Sequence, residues 1–120
     1  MTLIIAGGRD FDNYDLLKLE TMKFIIECKP TNQITIISGC ARGADQLGER
    51  FAREFNLELW EFPADWTKWG KQAGPKRNRE IAKNASHLIA FWDGTSKGTK
   101  NMIENAHEFN LKVKVARYQI

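Results

Sequence analysis

The chain has 120 residues, of which 42% are hydrophobic and 28% charged, and its formal net charge at pH 7 is +3. These values are typical of a globular protein that buries its own core, and we predict a single domain over residues 1–120. No apolar run approaches the roughly 20 residues of a membrane span, and the first residues do not form a secretion signal. We therefore expect a cytoplasmic protein without membrane contact.

Short apolar runs alternate along the chain with segments of helical periodicity. The first helix is predicted from Leu16, Leu19, Met22 and Ile26, whose spacing of three and four residues indicates one buried face. Residues 64–74 are predicted to be irregular. The order of elements predicts an α/β protein, a three-layer Rossmann-like fold with an open, mainly parallel five-stranded sheet and about four helices. The predicted strands are 3–6, 34–37, 57–62, 87–92 and 112–115.

The loops that follow the first four strands carry most of the residues suited to phosphate. In a parallel sheet with right-handed crossovers, the carboxyl ends of all strands lie at one edge, so these loops meet there. Glycine lets the backbone approach a ligand, helix N-termini offer free N–H groups, and Arg and Lys neutralise charge. The predicted ligand-binding residues are Gly7, Gly8, Arg9, Ser38, Gly39, Ala41, Arg42, Gly43, Asp45, Trp66, Lys71, Gly74, Arg77, Asn78, Asp93, Ser96, Lys97, Gly98 and Thr99.

Each loop also has a purely structural explanation. Gly7-Gly8 is found in ordinary tight turns, and Asp45 would stabilise the first turn of a helix through its dipole. The basic run over residues 68–79 is typical of a solvated surface. Trp66 and Trp69, however, lie in an irregular segment, where large aromatic rings need a core, a ligand or a second subunit to cover them. The meeting of several such loops at one edge favours a ligand site more than any single loop does.

The two cysteines, Cys28 and Cys40, do not have the spacing of a metal site, and without an export signal a disulfide is not expected. Cys28 lies in an apolar helical run and is predicted to be a small buried residue. Cys40 lies in a glycine-rich turn without a His or Asn partner nearby in the sequence, so a catalytic cysteine is not favoured. No metal and no cofactor are predicted.

Five motifs extend over almost the whole chain, and in combination they resemble one protein family. They are Ala6-Gly7-Gly8-Arg9-Asp10-Phe11, Ser38-Gly39-x-Ala41-Arg42-Gly43-Ala44-Asp45-x-Leu47, Pro63-Ala64-Asp65-Trp66, Gly70-Lys71-x-Ala73-Gly74-Pro75-x-Arg77-Asn78, and Phe91-Trp92-Asp93-Gly94-x-Ser96-Lys97-Gly98-Thr99-x-x-Met102-Ile103. The chain resembles the SLOG superfamily, named for the Smf/DprA and LOG proteins, and within it the YspA-like DUF2493 branch of bacteria and phages.

The resemblance implies a Rossmann-like fold and a nucleotide-type ligand. LOG-type members are phosphoribohydrolases that use a Gly-Gly-x-Gly-Thr-x-x-Glu turn and an arginine from the preceding helix. Gly98-Thr99 fits that turn and Arg77 is the candidate arginine, but Met102 stands at the glutamate position and cannot transfer a proton. Glu104 is two residues further on, which on a helix is roughly 200° away. This departure weakens the hypothesis that the chain is a hydrolase of the LOG type.

We therefore predict a sensor or binding module for a nucleotide-derived small molecule. A first alternative is a nucleotide-cleaving enzyme of the phosphoribohydrolase type, with Asp45 or Asp93 as the acid–base group. A second alternative is binding of single-stranded nucleic acid, as in DprA-type members, through Trp66, Trp69 and the basic run 68–79. A homodimer or higher homo-oligomer is expected because a small Rossmann-like domain leaves a sheet edge or a helix face uncovered.

Overall fold

The structure, a computed structural model that describes residues 1–119, contains a five-stranded sheet with helices on both faces. The strands are β1 (Thr2–Gly7), β2 (Thr35–Ser38), β3 (Glu58–Glu61), β4 (His87–Trp92) and β5 (Lys112–Arg117). The helices are α1 (Tyr14–Cys28), α2 (Ala44–Glu54), α3 (Trp66–Trp69), α4 (Ala73–Lys83) and α5 (Lys97–Glu108), and a 3-10 turn over Gly70–Gln72 joins α3 to α4. None of the helices within these 119 residues is long and apolar enough to cross a membrane.

The strands lie in the order β3-β2-β1-β4-β5, and every neighbouring pair is parallel. The prediction of a three-layer, Rossmann-like parallel sheet is therefore confirmed. The chain moves outward from β1 to β3 and then returns to β4 on the other side of β1. The loops after β1 and β4 consequently leave the sheet in opposite directions, which opens a crevice at the carboxyl edge.

Two apolar clusters hold the layers together. Leu3 and Ile5 of β1 point to one face of the sheet and pack with Phe51 in the cluster beneath α1 and α2. Ile4 points to the opposite face and packs with Met102 in the cluster beneath α4 and α5. The central strands are thus buried on both faces, as their continuous apolar runs predict.

The buried face of α1 differs from the prediction. Leu19, Met22 and Ile26 are exposed, whereas the buried positions include Leu17 and Phe24. The helix carries two apolar stripes, and the stripe with the larger aromatic side chains packs against the sheet because it removes more apolar area from water. Periodicity alone does not distinguish two such stripes.

The connection between β3 and α4 also differs from the prediction, since part of the segment 64–74 is helical. The Asp65 carboxylate accepts a hydrogen bond from the Lys68 backbone N–H at 3.0 Å and so caps the N-terminus of α3. A four-residue helix is too short to show a periodic pattern, which explains why the sequence reads as irregular there. The helix places Trp66 at the edge of the crevice.

Candidate functional site

A cavity of about 590 Å³ opens at the carboxyl edge of the sheet. Its walls are the loops after β1, β2 and β4 together with the first turns of α4 and α5. Most of the predicted ligand-binding residues line it, so the structure brings together residues from five separate stretches of sequence. They are Gly7, Gly8, Arg9, Gly39, Ala41, Arg42, Asp45, Trp66, Gly74, Arg77, Asn78, Asp93, Ser96, Lys97, Gly98 and Thr99.

Three predicted residues lie outside the cavity. Ser38 is fully buried, and its hydroxyl donates a hydrogen bond to Glu49 at 2.6 Å, so it holds β2 to α2. Gly43 supports the site from behind: its φ is +80°, and a Cβ there would lie 2.3 Å from the Gly8 carbonyl oxygen. Glycine at position 43 therefore lets the loops after β1 and β2 touch. Lys71 is exposed in the 3-10 turn.

Gly7 allows β1 to pack closely against its neighbours. A Cβ at this position would lie 2.3 Å from the Phe91 carbonyl oxygen and 2.9 Å from the Ala44 Cβ. The residue therefore lets β1 meet β4 and α2 at the point where the crevice begins. Gly8 continues this contact, since its carbonyl accepts a hydrogen bond from the Ala44 N–H at 3.1 Å.

Four cationic side chains face the cavity, and they differ in how firmly the protein holds them. Arg77 is held: its guanidinium donates to the Gly39 carbonyl and, through Nε, to the Asn78 side chain at 2.9 Å. Burial lowers the pKa of Arg77. Arg9, Arg42 and Lys97 form no ion pair within residues 1–119. Their charges are available to an anion in the cavity.

The N-terminus of α5 forms one wall. Ser96 caps the helix by accepting the Thr99 N–H at 3.4 Å, and Asp93 accepts the N–H groups of Thr95 and Ser96, each at 2.8 Å. These hydrogen bonds from Thr95 and Ser96 lower the pKa of Asp93. The first two N–H groups of α5, on Lys97 and Gly98, have no acceptor in the described part of the chain. These two free donors and the positive end of the helix dipole therefore face the cavity.

Asp45 is the most perturbed carboxyl group of the cavity. Only 6% of the residue is exposed, and its carboxylate accepts the Ala41 N–H at 3.1 Å. Burial raises the pKa of Asp45 to about 6, with a further contribution from Glu49, against the lowering effects of the Ala41 N–H and Arg77. A carboxyl group with such a pKa changes its charge close to neutral pH.

Met102, at the position where LOG-type members have glutamate, is 2% exposed and belongs to the apolar cluster beneath α4 and α5. It forms part of the cavity floor. Glu104 is exposed and does not line the cavity. The lining residues of α5 therefore offer backbone donors, the Lys97 amino group, the polar side chains of Thr99 and Asn101 and the apolar side chain of Met102, but no carboxylate.

Seven further lining residues are absent from the predicted set. They are Ile4, Ala6, Asp10, Pro75, Ile81, Asn101 and Met102. Asn101 follows Gly98 by one helical turn, and this spacing is a signal that places it on the same side of α5. Its side-chain oxygen accepts a hydrogen bond from Asn78 at 3.0 Å, which ties α4 to α5 across the cavity floor.

A second cavity of about 610 Å³ adjoins the first on the side of β3. The two cavities share the side chains of Arg9, Arg42, Trp66 and Arg77, and the second adds Cys40. Three guanidinium groups and one indole ring therefore line both of the adjoining cavities.

Cys40 lies beside two carboxylates, although its neighbours in the sequence do not suggest this. One sulfur or oxygen atom from each of Cys40, Glu49 and Glu61 lies within 4.8 Å of the others. Burial, followed by Glu49 and Glu61, raises the pKa of the Cys40 thiol to about 11. The thiol is therefore protonated at neutral pH and is a poor nucleophile.

The fold and the cavity together define a Rossmann-like α/β protein with a cavity at the point where the strand order reverses. A family model described as the YspA, cpYpsA-related SLOG family (YAcAr) matches residues 1–69. The Gene 61 protein of Mycobacterium phage D29 is 34% identical over 86 residues, which cover 67% of this chain and 69% of the phage protein. The chain belongs to the YspA, cpYpsA-related SLOG family, and this membership indicates a nucleotide-related function.

Proposed function

We propose that the protein binds a nucleotide or a nucleotide-derived phosphate compound in the cavity at the carboxyl edge, as a sensor or binding module. The observation that carries this proposal is the free N-terminus of α5 facing the same space as three arginine side chains. Backbone donors at a helix N-terminus and unpaired guanidinium groups are two independent features that recognise phosphate. Family membership supports the same class of ligand.

The dimensions and the chemistry of the cavity support a ligand larger than inorganic phosphate. A space of about 590 Å³ is within the range of small-molecule pockets. Its floor is apolar at Ile4, Ile81 and Met102, while its rim is cationic. A compound with a flat or apolar part and a phosphate part fits this division.

The test is a calorimetric titration of the purified protein with AMP, ADP-ribose, a cyclic nucleotide and inorganic phosphate. We expect saturable binding of at least one nucleotide compound, and weaker binding of it by Arg42→Ala. Arg42 is exposed and forms no ion pair in residues 1–119, so its removal leaves the fold intact. Absence of binding for every nucleotide compound contradicts the proposal.

Gly98 allows a sharper test of the phosphate position. A Cβ at Gly98 would meet nothing within 4 Å, so both Gly98→Asp and Gly98→Ala are expected to fold. The aspartate places a negative charge at the free end of α5 and should weaken nucleotide binding by on the order of tenfold or more. Gly98→Ala is the matched control and should bind normally. Equal affinities for the two variants would place the phosphate elsewhere.

The buried Asp45 favours a second candidate function, cleavage of the bound nucleotide. A carboxyl group with a pKa of about 6 is well matched to proton transfer near neutral pH, and Asp45 faces the cavity next to Gly39. In this case incubation with a nucleoside monophosphate yields free base or nucleoside, and Asp45→Asn abolishes the product while it retains binding. Asp93→Asn is the comparison, since the Asp93 carboxylate is occupied by backbone donors.

Trp69 favours a third candidate, binding of single-stranded nucleic acid. Its ring is 43% exposed, and the amino groups of Lys68 and Lys76 lie 4.9 and 4.3 Å from the ring centroid. Exposed aromatic rings beside basic side chains are typical of sites for single-stranded nucleic acid, and a base that stacks on Trp69 would displace a lysine that lies over the ring. Oligonucleotide affinity that falls steeply with salt and is lost in Trp69→Ala would support this candidate.

A further inference from the structure

The outer side of α1 carries an apolar stripe that residues 1–119 leave partly exposed. Leu19, Met22 and Ile26 are 52%, 38% and 69% exposed. Asp15 extends the stripe towards the N-terminus of the helix, and Lys29, the left-handed C-cap, extends it at the other end. The side chains of Asp15, Leu19, Met22 and Ile26 lie within about 60° of one another around the helix axis, since each residue advances the helix by about 100°. We call these five residues the outer stripe.

We propose that a second copy of this chain packs on the outer stripe, with the two α1 helices antiparallel and a two-fold axis close to Met22. In a two-fold contact the same surface occurs on both partners and must complement itself. The outer stripe meets this requirement because its apolar residues lie in the middle and its two end residues have opposite charge.

The positions of the charges determine the orientation of the two helices. Asp15 and Lys29 are each seven residues from Met22, or about 10 Å along the axis at 1.5 Å per residue. An antiparallel arrangement therefore places Asp15 of one protomer opposite Lys29 of its partner, twice in each dimer. A parallel arrangement would bring like charges together at both ends and would be unfavourable.

Two of the charged residues that flank the outer stripe are already paired within the protomer. Lys18 pairs with Glu54 of α2, and Glu20 lies 3.8 Å from Lys114 of β5. Asp15 and Lys29 form no ion pair within residues 1–119, so both of their charges are available to a partner. A 4-3-4-3 spacing of stripe residues is also the pattern with which two helices pack along their length.

The contact is small, and this determines the expected affinity. One helix with three apolar stripe residues buries less than the roughly 1,200 Å² that a stable interface needs. We therefore expect a reversible dimer with a dissociation constant on the order of 10–100 µM. The inference is independent of the proposed nucleotide site, because α1 packs on the sheet face opposite to α4 and α5.

The experiment is sedimentation equilibrium of the full chain at low ionic strength over a wide concentration range, with two charge reversals. Asp15→Lys and Lys29→Asp each create like-charge contacts in their own dimer and should weaken it about tenfold. Mixing the two variants pairs Lys at position 15 with Asp at position 29 at one end and the original Lys29 with the original Asp15 at the other, and should restore the affinity of the original protein. Aspartate is tolerated in the left-handed conformation of residue 29.

Glu27→Lys is the matched control, since Glu27 is exposed on the same helix but lies about 100° from Ile26. It should leave the dimer unchanged. A second variant, Ile26→Glu, should abolish the dimer without loss of helix content by circular dichroism. A monomer at every concentration up to about ten times the expected dissociation constant overturns the proposal. So does a mixture of the charge-reversed variants that associates no better than either variant alone.

Discussion

At the scale of single residues, the cavity contains two aspartates with opposite electrostatic surroundings. Asp45 is buried, and burial raises its pKa to about 6. Asp93 accepts two backbone N–H groups, and these lower its pKa. The fold therefore works against the ionised form of Asp45 and favours that of Asp93, and the two residues have different effects on stability as the pH changes.

Asp45→Asn is expected to remove a pH-dependent loss of stability. The carboxyl group keeps its proton up to about pH 6 in the folded protein but titrates near 3.8 when unfolded, so stability falls as the pH rises from about 4 to 6. At pH 8 the variant should be more stable by on the order of 2–3 kcal/mol, and the difference should vanish near pH 4. Urea unfolding across this range measures it.

Asp93→Asn provides the control with the opposite sign. The pKa of Asp93 is lowered in the folded protein, so its ionised carboxylate stabilises the fold at neutral pH. This stabilisation is lost as the pH falls through the acid range. The variant should therefore be less stable than the original protein at pH 7 and similar to it at low pH. Parallel stability curves for Asp45→Asn and the original protein would contradict the burial of a perturbed carboxyl group.

Cys40 is expected to alkylate slowly. A pKa of about 11 leaves little thiolate at pH 7.5, and the thiolate is the form that reacts. In a Cys28→Ser background, iodoacetamide should modify Cys40 at least tenfold more slowly than it modifies a free thiol. Glu61→Gln removes a neighbouring negative charge 3.6 Å from the sulfur and should accelerate the reaction. A rate equal to that of a free thiol would show that the sulfur is not shielded.

At the scale of elements, the short helix α3 separates two tryptophans that the sequence presents as a pair. Trp66 lines both cavities, and its ring lies 6.0 Å from the Arg9 guanidinium. Trp69 lines neither cavity and lies among lysines. A helix of one turn is sufficient to direct the two rings to different surroundings, so they need not share a role.

Trp66→Ala and Trp69→Ala are expected to behave differently. If the base of a bound nucleotide stacks on Trp66, its removal should weaken nucleotide binding by 1–3 kcal/mol, about tenfold or more, and leave binding of ribose 5-phosphate unchanged. Trp69→Ala is the control at an aromatic residue of comparable exposure and should leave nucleotide affinity unchanged. Fluorescence titration of each variant measures this, and the same loss in both variants would place the ligand on the outer surface of α3.

At the scale of the whole molecule, periodicity and loop chemistry predict the order of the elements and most of the cavity wall. The loops with Gly7, Asp45 and Gly98 could be placed at one edge because parallel strands end together. The outward side of α1 could not be predicted, since Leu19 and Leu17 are equally apolar and only the shape of the sheet selects between them. The spacing of one turn from Gly98 places Asn101 on the cavity side of α5, but its hydrogen bond with Asn78 depends on the contact between α4 and α5, which no local pattern predicts.

The central position of β1 has a consequence for how the chain is made. The family model matches residues 1–69, which include β1, β2 and β3, but β1 also pairs with β4 from Leu3–His87 to Gly7–Phe91. A fragment of residues 1–69 should therefore aggregate or remain unfolded, and adding residues 70–120 as a separate peptide should restore the circular dichroism of the intact chain. During synthesis the edge of β1 that pairs with β4 stays open until residue 92 has left the ribosome, and we expect this edge to favour aggregation of incomplete chains.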